Sequence, residues 1–462
     1  MIEDIIKERI KKRDTLIKAG VLTYPSQVKR THYIGDVLNR FFFFSLFRKK
    51  VSVTGRVMGM RAQGGVMFLD FMDESGRIQA VLNKKTSGNF ALWKDNTDIG
   101  DFISVTGTLF KTKKGQRSVK VLEMQMITKS LRPLPSSWHG FKDVEERYRK
   151  RYLDFILNKE VKDTIEARLL ITKTLRNILE EDGFVEVETP MLQPLPGGAT
   201  AKPFKTHHNA LDTDFYLRIA PELYLKRLLV GGFEKIFEVG KDFRNEGMDR
   251  DHNPEFTMLE LYWAYQDYEG LMAALRRWFN SLLKELSIDK LSHDGKEVDF
   301  NKRWEVISYE EAIRKYSNKE LRDLNIEEID EVFKKDVRPK LIQPTLVIRY
   351  PKAISPLAKS CVDDPEFTER FQLVVAGTEL VNGFSELNDP ADQRERMEKQ
   401  EEMFRAGDEE ASRLDEDYLE ALEYGMPPAA GLGIGIDRLA ALLTNNHAIK
   451  DTIIFPTLRP KK

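Results

Sequence analysis

Three short stretches of this chain bring together residue types whose spacing suits chemistry. The first runs Phe243-Arg-Asn-Glu-Gly-Met-Asp-Arg-Asp-His252-Asn-Pro-Glu-Phe256-Thr-Met-Leu-Glu260-Leu-Tyr262. Apolar residues on both sides of a segment rich in Gly, Asp, Asn and Pro predict two strands joined by a turn-rich loop. Arg244 and Glu246 stand two apart, so strand alternation puts them on one sheet face. Phe256, Glu260 and Tyr262 share parity on the returning strand. A guanidinium, the imidazole of His252 and an aromatic ring over one face suit a nucleotide, with Arg on phosphate and ring on base. A hairpin carrying a surface ion-pair network has the same spacing, and spacing alone leaves both open.

The second stretch is Gly431-Leu-Gly-Ile-Gly-Ile-Asp-Arg438. Glycines at alternate positions make a strand without side chains on one face, so another group can approach its backbone. A helix is expected to start near Asp437, with Arg438 at its entry, where dipole and guanidinium both favour an anion. Tight sheet-to-helix packing is the plainer use of such a strand. The third stretch is Glu379-Leu-Val-Asn382-Gly-Phe384-Ser-Glu386-Leu-Asn-Asp-Pro. Asn382, Phe384 and Glu386 alternate and point the same way. Carboxylates here can hold Mg²⁺ bridging phosphates or pair with a cationic ligand. A solvated acidic strand is the alternative, and Phe384 between the polar positions disfavours it.

Positioning these residues takes two different kinds of domain. Residues 3–19 place apolar residues at helical spacing among charges. From residue 51 the period becomes two, and five alternating segments follow within some 80 residues, punctuated by Gly64-Gly65, Ser75-Gly76 and Lys114-Gly115. A long spacer between the third and fourth fits a five-stranded OB barrel, with an SH3-like barrel as competitor. The division expected is an N-terminal helical segment (1–45), the barrel (46–130), a proline-bearing linker (131–145) and an α+β domain (146–462). In that last domain, a helix over 157–183 is followed by strand candidates at 215–219, 235–239, 258–263, 346–350, 371–376 and 382–386. Most of the connections suit antiparallel pairing. The run Phe41–Phe44 is expected to be buried.

The 462 residues carry a formal net charge of −1, which divides unevenly. Residues 1–140 hold 25 Lys and Arg against 12 Asp and Glu, so the remainder is about as acidic as this part is basic. Lys111, Lys113, Lys114, Arg117 and Lys120 cluster within the basic part. Such asymmetry suggests one part that meets a polyanion and another with a different task. Cys361 is the only cysteine, so no intrachain disulfide can form. The start lacks the apolar core of a signal peptide and no apolar run approaches membrane-spanning length, so a cytoplasmic protein without a membrane partner is expected.

Taken in order over nearly the whole chain, these motifs resemble the class II lysyl-tRNA synthetases. Thr189-Pro190 after a long helix resembles the class's first motif, at its dimer interface. Arg244–Thr257 resembles the second and Gly431–Arg438 the third. The lysyl identity rests on Asn382-Gly-Phe-Ser-Glu-Leu-Asn-Asp-Pro, on Trp138-His-Gly with Arg147-Tyr-Arg, and on Arg218-Ile-Ala-Pro-Glu222-Leu. The resemblance implies an antiparallel sheet flanked by helices, a homodimer, lysine activation by ATP and transfer to tRNA(Lys). By position, Arg244 would grip the α-phosphate and the lysine carboxylate. Phe256 and Arg438 would sandwich adenine, with His252 and Arg438 near the γ-phosphate and Glu246 near the adenine amino group. Asn382 would hold the carboxylate, Glu260 and the Gly198 backbone the α-amino group. Glu222, Glu386 and Tyr262 would receive the ε-ammonium, with Phe384 in the same pocket.

Glu379 and Glu386 would hold Mg²⁺, with Gln372 standing where a second metal carboxylate is expected. In the barrel, Arg61, Phe68 and Gln79 match positions that meet anticodon uridines, and Gln116 stands where a glutamate is expected. An aspartyl- or asparaginyl-type synthetase shares this architecture, but Glu222, Glu260 and Glu386 would repel an acidic side chain. A lysine-transferring protein-modification paralogue would not need the barrel. Intact Arg244, His252, Phe256 and Arg438 disfavour a non-catalytic RNA-binding relative.

Overall fold

A computed structural model describes residues 2–461 except 136–140, 142 and 409, so the Trp138-His-Gly motif lies outside the described residues. The chain forms two compact units, Met1–Lys142 and Asp143–Lys462.

The first unit opens with the helix Ile2–Lys18 and is built on β1 (Lys50–Gln63), β2 (Val66–Asp73), β3 (Gly76–Asn83), β4 (Phe102–Lys111) and β5 (Arg117–Thr128). They close in the order β1-β2-β3-β5-β4, with β3 and β5 parallel and the other pairs antiparallel. This is the expected OB barrel. Period-two alternation fills it: Val51, Val53, Met67, Leu69, Phe71, Ala80, Leu82, Ile103 and Val105 all point inward. The long spacer after β3 forms the helix Phe90–Asn96, and Phe90 and Trp93 join the same core.

The phenylalanine run is a short helix, Phe41–Leu46, and the expectation of burial holds for only part of it. Phe41 and Phe44, three apart and so on one helical face, enter the barrel core. Phe42 is 80 % exposed, and Phe43, Leu46 and Phe47 are also exposed. The helical period divides the run between core and solvent.

The second unit is organised by an eight-stranded sheet. Its strands are β6 (Val185–Glu186), β7 (Lys235–Phe243), β8 (Glu255–Ala264), β9 (Glu305–Ser308), β10 (Thr345–Pro351), β11 (Phe367–Val375), β12 (Thr378–Ser385) and β13 (Ala429–Gly435). The spatial order is β9-β10-β11-β12-β13-β8-β7-β6. The six inner strands are mutually antiparallel, and each edge strand is added in parallel. One face packs on the helices Lys159–Glu181, Tyr268–Glu285 and Ile436–Leu443 through Phe237, Leu259, Leu261, Phe371, Leu373, Leu432 and Ile434. Because strand side chains alternate, residues of the other parity, among them Glu260, Tyr262 and Asn382, project from the opposite face. The linker expected over 131–145 ends inside the helix Val144–Arg149. That helix is capped by the Asp143 carboxylate, which accepts from the backbone N–H groups of Glu145 and Glu146.

Candidate active site

The open face of the sheet lines a cavity of about 430 Å³. Strand register assembles it in rows. In one row Arg370, Phe384, Gly431 and Tyr262 lie side by side across β11, β12, β13 and β8. In the next, Gln372, Asn382, Gly433, Glu260 and Glu238 extend onto β7. The alternate glycines of β13 sit between Phe384 and Tyr262 and between Asn382 and Glu260, in the middle of the face. A Cβ on Gly431 would lie 2.4 Å from Glu386 Oε1 and 2.6 Å from Tyr262 Cε1, so a side chain there would displace both. The glycine strand therefore clears the floor of the cavity, as its spacing suggested.

Arg244, Glu246, His252, Phe256 and Arg438 gather at one end of the cavity. The Arg244 guanidinium lies 5.0 Å from the Phe256 ring centre, and its buried Nε has no hydrogen-bond partner. Arg438 Nη2 and His252 Nε2 are 3.3 Å apart, and His252 Nδ1 is 2.9 Å from the Asp249 carboxylate. Arg438 is aimed by its neighbour. Asp437 accepts from Arg168 of the long helix at 2.7 Å and from the Thr257 backbone N–H at 2.7 Å. This fixes the first turn of the helix after β13 against β8. One expectation is corrected here: β7 ends at Phe243, so Glu246 lies in the exposed loop beyond it and shares no sheet face with Arg244.

At the other end, carboxylates crowd together. Glu222, Glu260 and Glu386 are all buried, and Tyr262 donates its hydroxyl to Glu260 Oε2 at 3.1 Å. Burial pushes the Glu260 carboxyl well above the usual range, and Asp242 and Glu222 add to the rise. Burial likewise raises Tyr262, with Glu222, Glu260 and Glu386 reinforcing it, so its hydroxyl remains a donor. Gly198, with φ of +88°, brings its backbone against Glu222; a Cβ there would lie 2.9 Å from Glu222 Cβ.

Two residues at this site are absent from the sequence-derived set. Lys226 Nζ lies 2.6 Å from Glu222 Oε1 and 2.5 Å from Glu386 Oε2. Arg370 donates from Nε to Asn382 Oδ1 at 2.9 Å, so the Asn382 amide is held with its NH₂ group free to donate. The four-residue spacing of Glu222 and Lys226 on a helix signals an ion pair, and Arg370 has the parity of Gln372. Neither spacing says that the pair belongs to the cavity.

The metal expectation is also corrected. Glu386 is committed to Lys226. On an extended chain at about 3.3 Å per residue it lies roughly 20 Å from Glu379, too far to share an ion. Among the described residues no group of three or more His, Cys, Asp or Glu is arranged to hold a metal. Glu379 and Gln372 do line the cavity together from adjacent strands, and Arg338 Nη1 is 3.9 Å from Glu379. This donor set suits Mg²⁺ only when phosphate and water oxygens complete its shell, a common arrangement for that ion.

In the barrel, Arg61 and Phe68 are directly paired between β1 and β2, with the guanidinium 5.9 Å from the ring centre. Gln79 is 2 % exposed; its amide donates to Asp70 at 3.4 Å and accepts from Ser118 at 3.2 Å. Gln116 is exposed in the loop before β5, beside the basic cluster. Among the described residues, no helix is long and apolar enough to cross a membrane.

The family profile described as tRNA synthetases class II (D, K and N) matches residues 143–459, and that of the OB-fold nucleic acid binding domain matches residues 51–134. The chain is 46 % identical over 488 residues to the lysine–tRNA ligase of Pelotomaculum thermopropionicum, covering 100 % of this chain and 96 % of that protein. It is 46 % identical over 485 residues to the lysine–tRNA ligase of Carboxydothermus hydrogenoformans, covering 100 % and 99 %. With the lysine–tRNA ligase of Helicobacter hepaticus it shares 45 % identity over 492 residues, covering 99 % and 95 %.

Proposed function

The chain belongs to the lysine–tRNA ligases among the class II tRNA synthetases, and from that premise we propose how its own residues carry the reaction. ATP and L-lysine meet on the open sheet face. A lysine carboxylate oxygen attacks the α-phosphorus, the bond to the bridging oxygen breaks, and pyrophosphate leaves. The terminal ribose hydroxyl of tRNA(Lys) then attacks the adenylate carbonyl and AMP leaves. The observation that carries this reading is the polarity of one cavity, with arginines and an aromatic ring at one end and three buried carboxylates at the other.

Arg244 bridges the α-phosphate and the lysine carboxylate, placing nucleophile and electrophile together while neutralising charge. Phe256 and Arg438 hold adenine between them, His252 and Arg438 face the γ-phosphate, and Glu246 meets the adenine amino group. Asn382 donates to the lysine carboxylate, with Arg370 fixing its orientation. Glu260 and the Gly198 backbone take the α-amino group. Glu222, Glu386 and Tyr262 surround the ε-ammonium, with Phe384 along the stem. Glu379 and the Gln372 amide oxygen would hold Mg²⁺, which when bound offsets phosphate charge. No general base is required. Aminoacylation of tRNA(Lys) by purified protein is the expected result; its absence with lysine and ATP present would contradict the assignment.

The lysine end predicts a pH dependence. Burial pushes Glu386 up to about 8, with Lys226 pulling it down and Glu222 adding to the rise. Binding of an ammonium favours the ionised carboxylate, so below that value lysine must displace a proton. The KM for lysine should fall as pH rises towards about 8, by up to about tenfold per unit, while the KM for ATP changes little. A flat lysine KM over that range would contradict the role given to Glu386.

The barrel (46–130) is assigned to the anticodon, with Phe68 stacking a base, Arg61 and Gln116 at its edges and Gln79 reached through its buried amide. The exposed Lys111, Lys113, Lys114, Arg117 and Lys120 would meet phosphates, so tRNA affinity should fall steeply with salt. Binding that barely changed with salt would oppose this. The reaction is placed in the cytoplasm. A homodimer is supported by exposed Val185, Met191 and Leu192, close in sequence to Thr189-Pro190 at the β6 edge, and by exposed Leu169 and Leu170 on the long helix Lys159–Glu181.

A further inference from the structure

Lys226 is fully buried, one turn along the helix Glu222–Val230 from Glu222. Its Nζ bridges Glu222 Oε1 and Glu386 Oε2 and lies 5.3 Å from the Phe384 ring centre. The groups facing it are Glu222 on its own helix, Glu386 after β12 and Tyr418 on the helix Glu416–Glu423, while Tyr262 and Glu260 on β8 lie beside the two carboxylates. Burial would favour the neutral amine, yet Glu222 and Glu386 hold it above the ordinary lysine range, so it is a permanent cation. Glu386 Oε1 is buried and has no hydrogen-bond partner.

Once Glu386 has given up its proton, two carboxylates facing one ammonium leave a single uncompensated negative charge, and the Glu386 Oε1 without a hydrogen-bond partner shows where it is unmet. We propose that Lys226 is a positioning residue for amino-acid selection: it ties one oxygen of Glu222 and one of Glu386, leaving the others for the ε-ammonium of the substrate. An internal ammonium thereby sets the local charge so that one further cation completes it. Without Lys226 the two carboxylates repel, one takes up a proton, and the arrangement that distinguishes an ammonium from a neutral end is lost. Glu222 lines the cavity, and Glu386 Oε1 lies directly behind Gly431 of the cavity floor, where an added Cβ would come within 2.4 Å of it; a structural ion pair alone would not require this placement.

This inference rests on the assignment of Glu222 and Glu386 to the ε-ammonium, and the test separates the two. Pyrophosphate exchange would be measured with lysine and ATP each varied, in Glu222→Gln and Lys226→Met. Glu222→Gln should raise the lysine KM; no change would remove the underlying assignment. Lys226→Met should raise the lysine KM at least about tenfold, with kcat and the ATP KM within about threefold. A raised KM in Glu222→Gln together with an unchanged lysine KM in Lys226→Met would overturn the role of Lys226 alone. Should Lys226→Met fail to fold, the double variant Lys226→Met/Glu222→Gln removes both halves of one buried pair. Compared with Glu222→Gln it should show at least about a fivefold further rise in lysine KM, and no further rise would overturn the proposal.

Discussion

Arg244→Ala should reduce adenylate formation on the order of 10³-fold, about 4 kcal/mol of transition-state stabilisation, while tRNA binding stays within about twofold. The size follows from where the charge develops. In-line attack builds negative charge on the α-phosphoryl oxygens, and the protein answers with fixed cations lining the cavity. Arg244 is built for this, since its Nε is buried without a partner and its guanidinium rests against Phe256. Asp242 sits beneath it on β7. Burial lifts that carboxyl to about 7, with Arg218 and Arg244 pulling it down and Glu238 pushing it up. Asp242 pairs with Arg218 at 3.1 Å, so Arg244 is held by packing against Phe256 and its Nε is left without a partner. Arg244→Lys should recover only part of the loss, because an ammonium cannot span phosphate and carboxylate bidentately. Single-turnover adenylate formation measures the first quantity and filter binding of tRNA the second. Near-normal adenylate formation in Arg244→Ala would remove Arg244 from the chemistry.

Gly431→Ala should raise the lysine KM on the order of 10²-fold, with the ATP KM within about threefold. One methyl group has this effect because of what surrounds it: the added Cβ would lie 2.4 Å from Glu386 Oε1 and 2.6 Å from Tyr262 Cε1. Both belong to the end proposed to receive lysine, and both are buried, so neither contact is with a flexible surface chain. Pushing Glu386 aside breaks its pairing with Lys226, and disrupting a buried ion pair costs about 3–5 kcal/mol, part of which appears as lost affinity. Stability should also fall, by about 1–3 kcal/mol, as for other overpacked cores. Isothermal titration with lysine and thermal unfolding read the two effects separately. Lysine affinity unchanged in a folded Gly431→Ala protein would place the ammonium elsewhere.

How much of this was legible in the sequence depended on the range of the interaction. Alternation is local, so the five barrel strands, the glycine strand and the parity of Asn382 and Phe384 could be read directly. The arginine end of the cavity was also readable, because Arg244 to Phe256 and Gly431 to Arg438 lie within short motifs. Loops were harder. Strand alternation extended past Phe243 puts Glu246 on a sheet face it does not share, because the strand ends there. Hydrophobicity alone predicts burial of the whole phenylalanine run, and only its helical period exposes Phe42, Phe43 and Phe47. Lys226 and Arg370 act on Glu386 and Asn382, partners far along the chain that come together only through the fold. Glu379 and Glu386 appear close in sequence, yet an extended strand separates them too far to share an ion.

The whole-chain charge of −1 had suggested little, and its division explains the two tasks. A basic barrel suits a polyanion, while part of the acidity of the second unit is concentrated where a cationic side chain would be received. An aspartyl-type reading fails at the same place, since a fourth buried carboxylate would join Glu222, Glu260 and Glu386.

The most direct measurement is amino-acid-dependent pyrophosphate exchange by the purified protein, with ATP fixed and lysine, aspartate, asparagine and the neutral isostere norleucine each supplied in turn. Exchange should depend on lysine and exceed that with any of the others by at least about 10²-fold, the discrimination expected when a buried charged site is left unpaired. Exchange driven equally by aspartate or norleucine, or none with lysine, would contradict the account.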